Sequence, residues 1–267
     1  MIPSLQNIDI LLNYLIGEYP KYGNMIIPSD VKGKRQLMRS LLNLRSPIPL
    51  SGHLLEAQNE ELKKQLQEKG TVELNQILLF PVDSRLRLWQ GDITRLKVDA
   101  IVNAANNQML GCFVPLHSCI DNAIHSAAGI QLRLECNELM KKQGYPEPTG
   151  SAKITNGYNL PSKYVIHTVG PIIKNGKVTQ NDEYKLAACY QSCLHLADDN
   201  KLQSIAFCCI STGEYGFPNQ PAAEIAIRTV RKYFKKSPSS LIKAVVFNVF
   251  KDIDYSIYNK LLESDKE

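Results

Sequence analysis

Three short stretches of nearly unbroken hydrophobicity, residues 164–169, 205–210 and 244–249, constrain the fold of this chain more than any other feature. A strand covered on one face alternates apolar and polar side chains, whereas one covered on both faces reads as a continuous apolar run. Helical patterns at 182–197, 221–234 and 255–262 stand between or after these runs. Upstream, strand candidates at 86–89 and 100–102 precede helical patterns at 120–128 and 131–143. Such alternation predicts an α/β sandwich, a sheet with helices on both faces. The 267 residues, 44% hydrophobic and 21% charged, are enough for one sizeable core with or without an appendage.

Residues 1–70 read differently. Ile8, Leu11, Leu12, Leu15 and Ile16 recur at helical spacing, and Asp30 is placed to cap a segment carrying Leu37, Met38, Leu41 and Leu42. Residues 53–70 read as an exposed amphipathic helix stopped by Gly70, set apart by the proline-rich stretch 46–52. We therefore expect a small helical extension over 1–70, too poor in apolar surface to stand alone, packed on a main domain over 71–267. Its function is not legible from the residues. The opening MIPSLQNIDI lacks the basic region and apolar core of a signal peptide, and no apolar run reaches the roughly eighteen residues of a membrane span. A cytoplasmic protein without membrane attachment is the expectation. Seven cysteines, two of them adjacent at Cys208 and Cys209 inside an apolar run, suit reduced thiols better than a disulfide framework. The net charge of +5, without a long basic block, is compatible with an anionic ligand and gives little support to duplex nucleic-acid binding.

The stretch 111–119, GCFVPLHSC, is the richest in chemistry. Cys112, His117 and Cys119 offer two thiolates and an imidazole, which are donors Zn²⁺ prefers, on a loop free to fold around one ion. Three protein ligands leave a position open, the mark of a catalytic zinc, unless Asp121, His125 or Cys136 supplies a fourth. The plain alternative is a loop with two free cysteines, because Cys-x4-His-x-Cys matches no zinc-finger spacing. Asp92 follows Gly91 after a strand, where it either accepts from a ligand amine or serves its own turn. Ser211, Thr212, Gly213, Glu214, Tyr215, Gly216 and Phe217 join a buried strand to a helix beginning after Pro218, a usual place for amides to receive phosphate. Asp121 also suits the first turn of a helix, and Asn106 the end of a strand. His125, His167 and His195 fit core or subsurface structural positions, and Cys136, Cys189, Cys193, Cys208 and Cys209 fit small core hydrophobes.

The sequences flanking that loop resemble the macrodomain family. Gly-Asp-Ile-Thr at 91–94, the strand 98–102, Asn-Ala-Ala-Asn at 103–106, and an acidic residue before a helix ending Ala-Ala-Gly stand in family order. Residues 149–171 resemble the family's middle strands, and ISTGEYGFP at 210–218 resembles its second phosphate-binding loop. The resemblance implies a three-layer α/β/α fold with a mixed central sheet. Its nearest subgroup is the MacroD-type hydrolases, but their run of glycines is replaced here by the longer stretch 112–120. In that respect the chain resembles zinc-dependent macrodomains found beside ADP-ribosylating sirtuins. It follows, by resemblance, that Asp92 and Ile93 meet adenine with Phe250 beside it, and that 211–216 hold the pyrophosphate. Tyr215 and Phe217 would cover the distal ribose or phosphate, Asn106 would hold that ribose, and Asp121 would be the acidic group. The implied activity is zinc-dependent removal of mono-ADP-ribose ester-linked to aspartate or glutamate, and of the acetyl group of O-acetyl-ADP-ribose. An ADP-ribosylating sirtuin system would be the partner. A non-catalytic ADP-ribose reader with a structural zinc is the alternative.

Overall fold

The computed structural model describes residues 4–80 and 83–264. Residues 1–3 and 265–267, which end the two expected units and include the start of the segment read for a leader, lie outside the described residues. Strands β1 (Val72–Glu73), β2 (Leu78–Leu79), β3 (Leu86–Gln90), β4 (Leu96–Lys97) and β5 (Ala100–Ala104) are followed by helices α4 (Ile120–Ala128) and α5 (Ile130–Gln143), α1 to α3 lying upstream. Then come β6 (Ala152–Asn156), β7 (Tyr164–Thr168), α6 (Gln180–Asp199), β8 (Ser204–Phe207), α7 (Asn219–Lys236), β9 (Ala244–Val249) and α8 (Asp252–Glu263). The 7-stranded sheet has the order β2-β3-β9-β8-β5-β7-β6, and β1 pairs with β4 apart from it. β2 and β6, at the two edges, run antiparallel to their neighbours, and the five strands between them are parallel, so the sheet is mixed. Helices cover both of its faces.

Burial explains the pattern in the sequence. Every residue of β8 and β9 is buried, as continuous apolar runs require, whereas edge strand β2 is exposed and β6 is mostly half-buried. The weak alternation of β6 is why no periodicity flagged it. The apolar run 205–210 outlasts its strand, which ends at Phe207: Cys208 and Ile210 are buried by the core while the backbone has already turned toward the cleft. Helix α6 starts earlier than its apolar period because Thr179 and Asp182 cap each other reciprocally.

Helices α1 (Ser4–Gly17), α2 (Val31–Leu44) and α3 (Gly52–Lys69) share a core of Ile8, Leu11, Leu12, Leu15, Met38, Leu41, Leu54 and Leu62 that also takes in Ile130 of α5. Asp30 caps α2 by accepting from Gly33 N at 2.9 Å. The expectation of an exposed third helix is corrected: Ala57, Gln58, Glu61 and Leu62 are buried. Gln58 Oε1 accepts from Ile130 N at 3.0 Å, and Glu61 takes Arg35 Nε at 2.6 Å. Buried polar groups with such partners do not show up as hydrophobic periodicity. From the other side, buried Arg133 of α5 donates to the carbonyls of Leu42, Asn43 and Arg45 at 2.8, 3.1 and 2.6 Å, closing the C-terminus of α2. No helix of the described residues is long and apolar enough to cross a membrane.

Candidate active site at the carboxyl ends of the parallel strands

The chain moves from β5 outward to β7, then returns to place β8 and β9 on the other side of β5. Such a reversal opens a crevice at the carboxyl ends of the strands. A cleft of about 1500 Å³ lies there, lined by Asp92 and Ile93 after β3, Asn106 after β5, Gly170 after β7, Ser211, Thr212, Gly213, Glu214 and Tyr215 after β8, and Phe250 after β9. Cys112, His117, Cys119 and Asp121 line it too, and α2 walls one side with Lys32, Arg35 and Arg39.

At one end stands Asp92. Its Oδ1 accepts from Thr94 N at 3.1 Å and Thr94 Oγ1 at 2.6 Å, and its Oδ2 from Lys69 Nζ at 3.0 Å. Burial opposes its ionisation, but the Thr94 bonds and the Lys69 charge prevail and hold the carboxyl below its usual range. The loop after β8 contains an L-residue in the left-handed region: Ser211 has φ 66°. Its Oγ is buried without a hydrogen-bond partner in the protein. A Cβ on Gly170 would sit 2.0 Å from that oxygen, so glycine at 170 makes room for Ser211. The expectation for Phe217 is corrected here. Its side chain is 1% exposed in the main core and is not among those lining the cleft, because the chain has by then turned down into α7. Tyr215 lines the cleft, and Phe250 stands at its edge 77% exposed.

Deeper in lies a buried polar network. Asp121, in the first turn of α4, accepts from Asn103 Nδ2 at 2.8 Å and Asn106 Nδ2 at 3.3 Å. Asn106 Nδ2 also donates to the Gly111 carbonyl at 3.1 Å, tying the acid to the start of the cysteine loop. Burial raises the Asp121 carboxyl to about 6, against the lowering effects of the Asn103 bond and the Arg133 charge. Beneath it, Asn103 lies 3.2 Å from His167 Nδ1, and His167 Nε2 lies 2.9 Å from Thr155 Oγ1. Burial holds His167 down at about 3, and burial, with the charges of His167 and Arg133, holds His125 well below its ordinary value. His125 and His167 are buried as expected, whereas His195, read the same way, is exposed on α6; neither ring nitrogen of His125 makes a hydrogen bond. Its Nε2 lies 3.5 Å from Asp121 Oδ1. Gly111, at φ 81°, is needed above this ring, because a Cβ there would lie 2.8 Å from it. Asn103 was not singled out from sequence. An asparagine in the interior of an otherwise apolar strand was the signal that marks it.

The ligand atoms of Cys112, His117 and Cys119 all lie within 4.8 Å of one another. Cys119 caps α4, its Sγ accepting from Asn122 N at 3.4 Å. Burial, with the neighbouring Cys112 and Asp121, pushes its thiol up to about 12, so an incoming cation must displace a proton there. His117 Nδ1 accepts from Cys119 N at 3.3 Å, and its Nε2 lies 3.7 Å from Glu214 on the loop after β8. Two sulfurs and one imidazole, half-buried at the cleft wall, fit zinc by donor type and proximity. Of the three residues considered as a fourth ligand, His125 and Cys136 belong instead to a separate buried group with His167, and Asp121 is engaged by Asn103 and Asn106. All seven cysteines are free thiols.

A family model described as the Macro domain matches residues 102–226. A protein-ADP-ribose hydrolase of Treponema medium is 50% identical over 256 residues, covering 94% of this chain and 96% of that one. A protein of the same description from Staphylococcus aureus is 46% identical over 268 residues, covering 99% of both. A probable bifunctional ADP-ribose hydrolase/ADP-ribosyltransferase of Fusarium oxysporum is 41% identical over 256 residues, covering 87% of this chain and 42% of its own length. Among solved structures, the Trypanosoma brucei macrodomain in complex with ADP-ribose superposes with a TM-score of 0.64 at 32% identity, covering 84% of this chain and 94% of that one.

Proposed function

The chain belongs to the macrodomain family, and on that premise we propose that it is a zinc-dependent hydrolase that releases mono-ADP-ribose from modified proteins. The observation that carries the proposal is the convergence, in one cleft, of an anion loop at a helix start, a buried acid, and a three-ligand cysteine-histidine group. The relatives' description as protein-ADP-ribose hydrolases supports the same reading.

In this reading adenine lies at the Asp92 end, its amine donating to the carboxylate, with Ile93 beneath it and Phe250 over the edge. The amides of 211–216 receive the pyrophosphate, and the start of α7 adds a favourable dipole. The distal ribose then falls between Tyr215, Asn106 and the cysteine loop. Asn106 holds Asp121 in place at that end, and its Oδ1, which accepts from Gln108 N, has a lone pair left to accept from a ribose hydroxyl. Asp121, raised to about 6 and held by two amide donors, accepts a proton from a ribose hydroxyl or water near neutral pH. Cys112, His117 and Cys119 would hold the zinc, which when bound supplies Lewis acidity beside the scissile ester. The substrate is an ester between the distal ribose and an aspartate or glutamate side chain. Its hydrolysis leaves a carboxylic acid on the protein and a hydroxyl on the sugar. The acetyl ester of O-acetyl-ADP-ribose has the same bond to break. The relative described as pairing hydrolase with ADP-ribosyltransferase supports an ADP-ribosylating enzyme as the source of the substrate; that this enzyme is of the sirtuin type is part of the proposal. Seven free thiols suit a reducing cytoplasm.

The test pairs metal analysis with single-turnover release of ADP-ribose from a glutamate-modified protein. The wild type should carry about one zinc per chain. His117→Ala should lose the metal and slow release by orders of magnitude at saturating enzyme while remaining folded by circular dichroism. Wild-type release by the zinc-free variant would make the metal structural. Tight ADP-ribose binding without release by the wild type would make the protein a reader.

A further inference from the structure

The loop 112–119 has little to hold it in shape by itself. Pro115 interrupts it, Leu116 sits at φ 56°, and its Phe113, Val114 and Leu116 side chains are exposed. Its own backbone closes a turn from His117 N to the Val114 carbonyl at 3.2 Å. The contacts that fix it otherwise come from α4, which follows it, and from α2, which reaches it from the N-terminal layer. Leu116 N donates to Asn43 Oδ1 at 3.1 Å, while Asn43 Nδ2 donates to Ser126 Oγ at 3.0 Å. Arg39 Nη2 donates to the His117 carbonyl at 3.0 Å, and its Nε and Nη2 reach Asn122 Oδ1 at 3.1 and 2.6 Å. Asn122, fully buried, donates in turn to the Val114 carbonyl at 3.0 Å.

We infer that the N-terminal helical layer is a working part of the site: α2, through Arg39 and Asn43, clasps the loop 112–119 from both sides of His117 and keeps its three ligating side chains convergent. Both are positioning residues, since neither is a ligand. The fork of Arg39 suits this task. One planar group bonds a backbone carbonyl and a side-chain amide at once, which a lysine ammonium cannot do with the same fixed geometry. This gives residues 1–70 a role in the chemistry, and it rests on the preceding reading only where metal is concerned.

The experiment uses the full chain, metal-free, with Arg39→Lys, Arg39→Ala and, as control on the same helix, Lys34→Ala, whose partner is Asp9 at 2.7 Å. Amide exchange of residues 112–122 should quicken about tenfold in both Arg39 variants and stay unchanged in Lys34→Ala. Affinity for Zn²⁺ alone, read by chelator competition, should fall about tenfold in the same two variants. Should the alanine variant fail to fold, the lysine variant decides, because it retains the stem and the charge. Unchanged loop exchange in a folded Arg39 variant overturns the inference, as does an equal quickening in Lys34→Ala, which would mean general loosening of the helical layer. A wild type that takes up no zinc would sink the metal reading, while the exchange data would still judge the clasp.

Discussion

Replacing Ser211 by glycine should make the protein more stable and bind its ligand less well. Ser211 holds φ at 66°, a conformation that costs an L-residue about 1–2 kcal/mol. Its buried hydroxyl has no partner in the protein, which costs about 1–3 kcal/mol. Glycine removes both terms and adds back roughly 0.5–1 kcal/mol of chain entropy lost on folding. The net gain is about 1–4.5 kcal/mol, at roughly 2–4 °C in Tm per kcal/mol for a chain of this size. Strain and an unmet donor at one residue are sensible only if the hydroxyl has a task there, and its place at the head of the anion loop makes a phosphate oxygen the expected acceptor. Losing that charge-assisted bond should weaken ADP-ribose by about 1.5–3 kcal/mol, tenfold or more. Ser211→Ala separates the terms, since it removes the hydroxyl and keeps the strain, so its Tm should fall between wild type and Ser211→Gly with the same loss of binding. Thermal unfolding and calorimetric titration with ADP-ribose measure both. A lower Tm for Ser211→Gly, or a higher Tm with unchanged affinity, would refute the reasoning.

Two further outcomes are expected. Asp92→Ala should weaken ADP-ribose binding by about 1.5–3 kcal/mol, since a carboxylate already ionised by Thr94 and Lys69 gives a charge-assisted bond to adenine; equal affinity in a folded variant contradicts the assignment. Stability should fall on acidification. His167 is held at about 3 against an ordinary 6.5, and His125 shifts the same way, so unfolding takes up protons and stability is lost as pH falls from about 6.5 toward 3. Asp121, raised to about 6, works in the opposite sense below that pH and offsets one of the two. The remainder is about one proton, at most about 1.4 kcal/mol per pH unit between pH 6 and 5. Urea unfolding at stepped pH checks this, with His167→Gln expected to flatten the slope and a profile level from pH 7 to 5 speaking against it.

Much of this protein was legible in one dimension because burial writes itself into local pattern. A strand covered on both faces must be apolar throughout, so β7, β8 and β9 were visible as runs, and helix starts such as Asp30 were visible as caps. Cys112, His117 and Cys119 were recognisable for a similar reason: donors close in sequence can meet with only a local turn. Phe217 could not be placed that way, because an aromatic at the end of a loop serves ligand and core equally well until the direction of the following helix is known. Nor could the joining of Asn103, Asn106 and Asp121 with His125 and His167, or the reach of Arg39 and Asn43 onto the cysteine loop, since these contacts link residues far apart in the chain. Such long-range polar contacts leave no period in the sequence. They exist because strand order turns back at β5 and because α2 docks beside α4, and only the packed chain decides either.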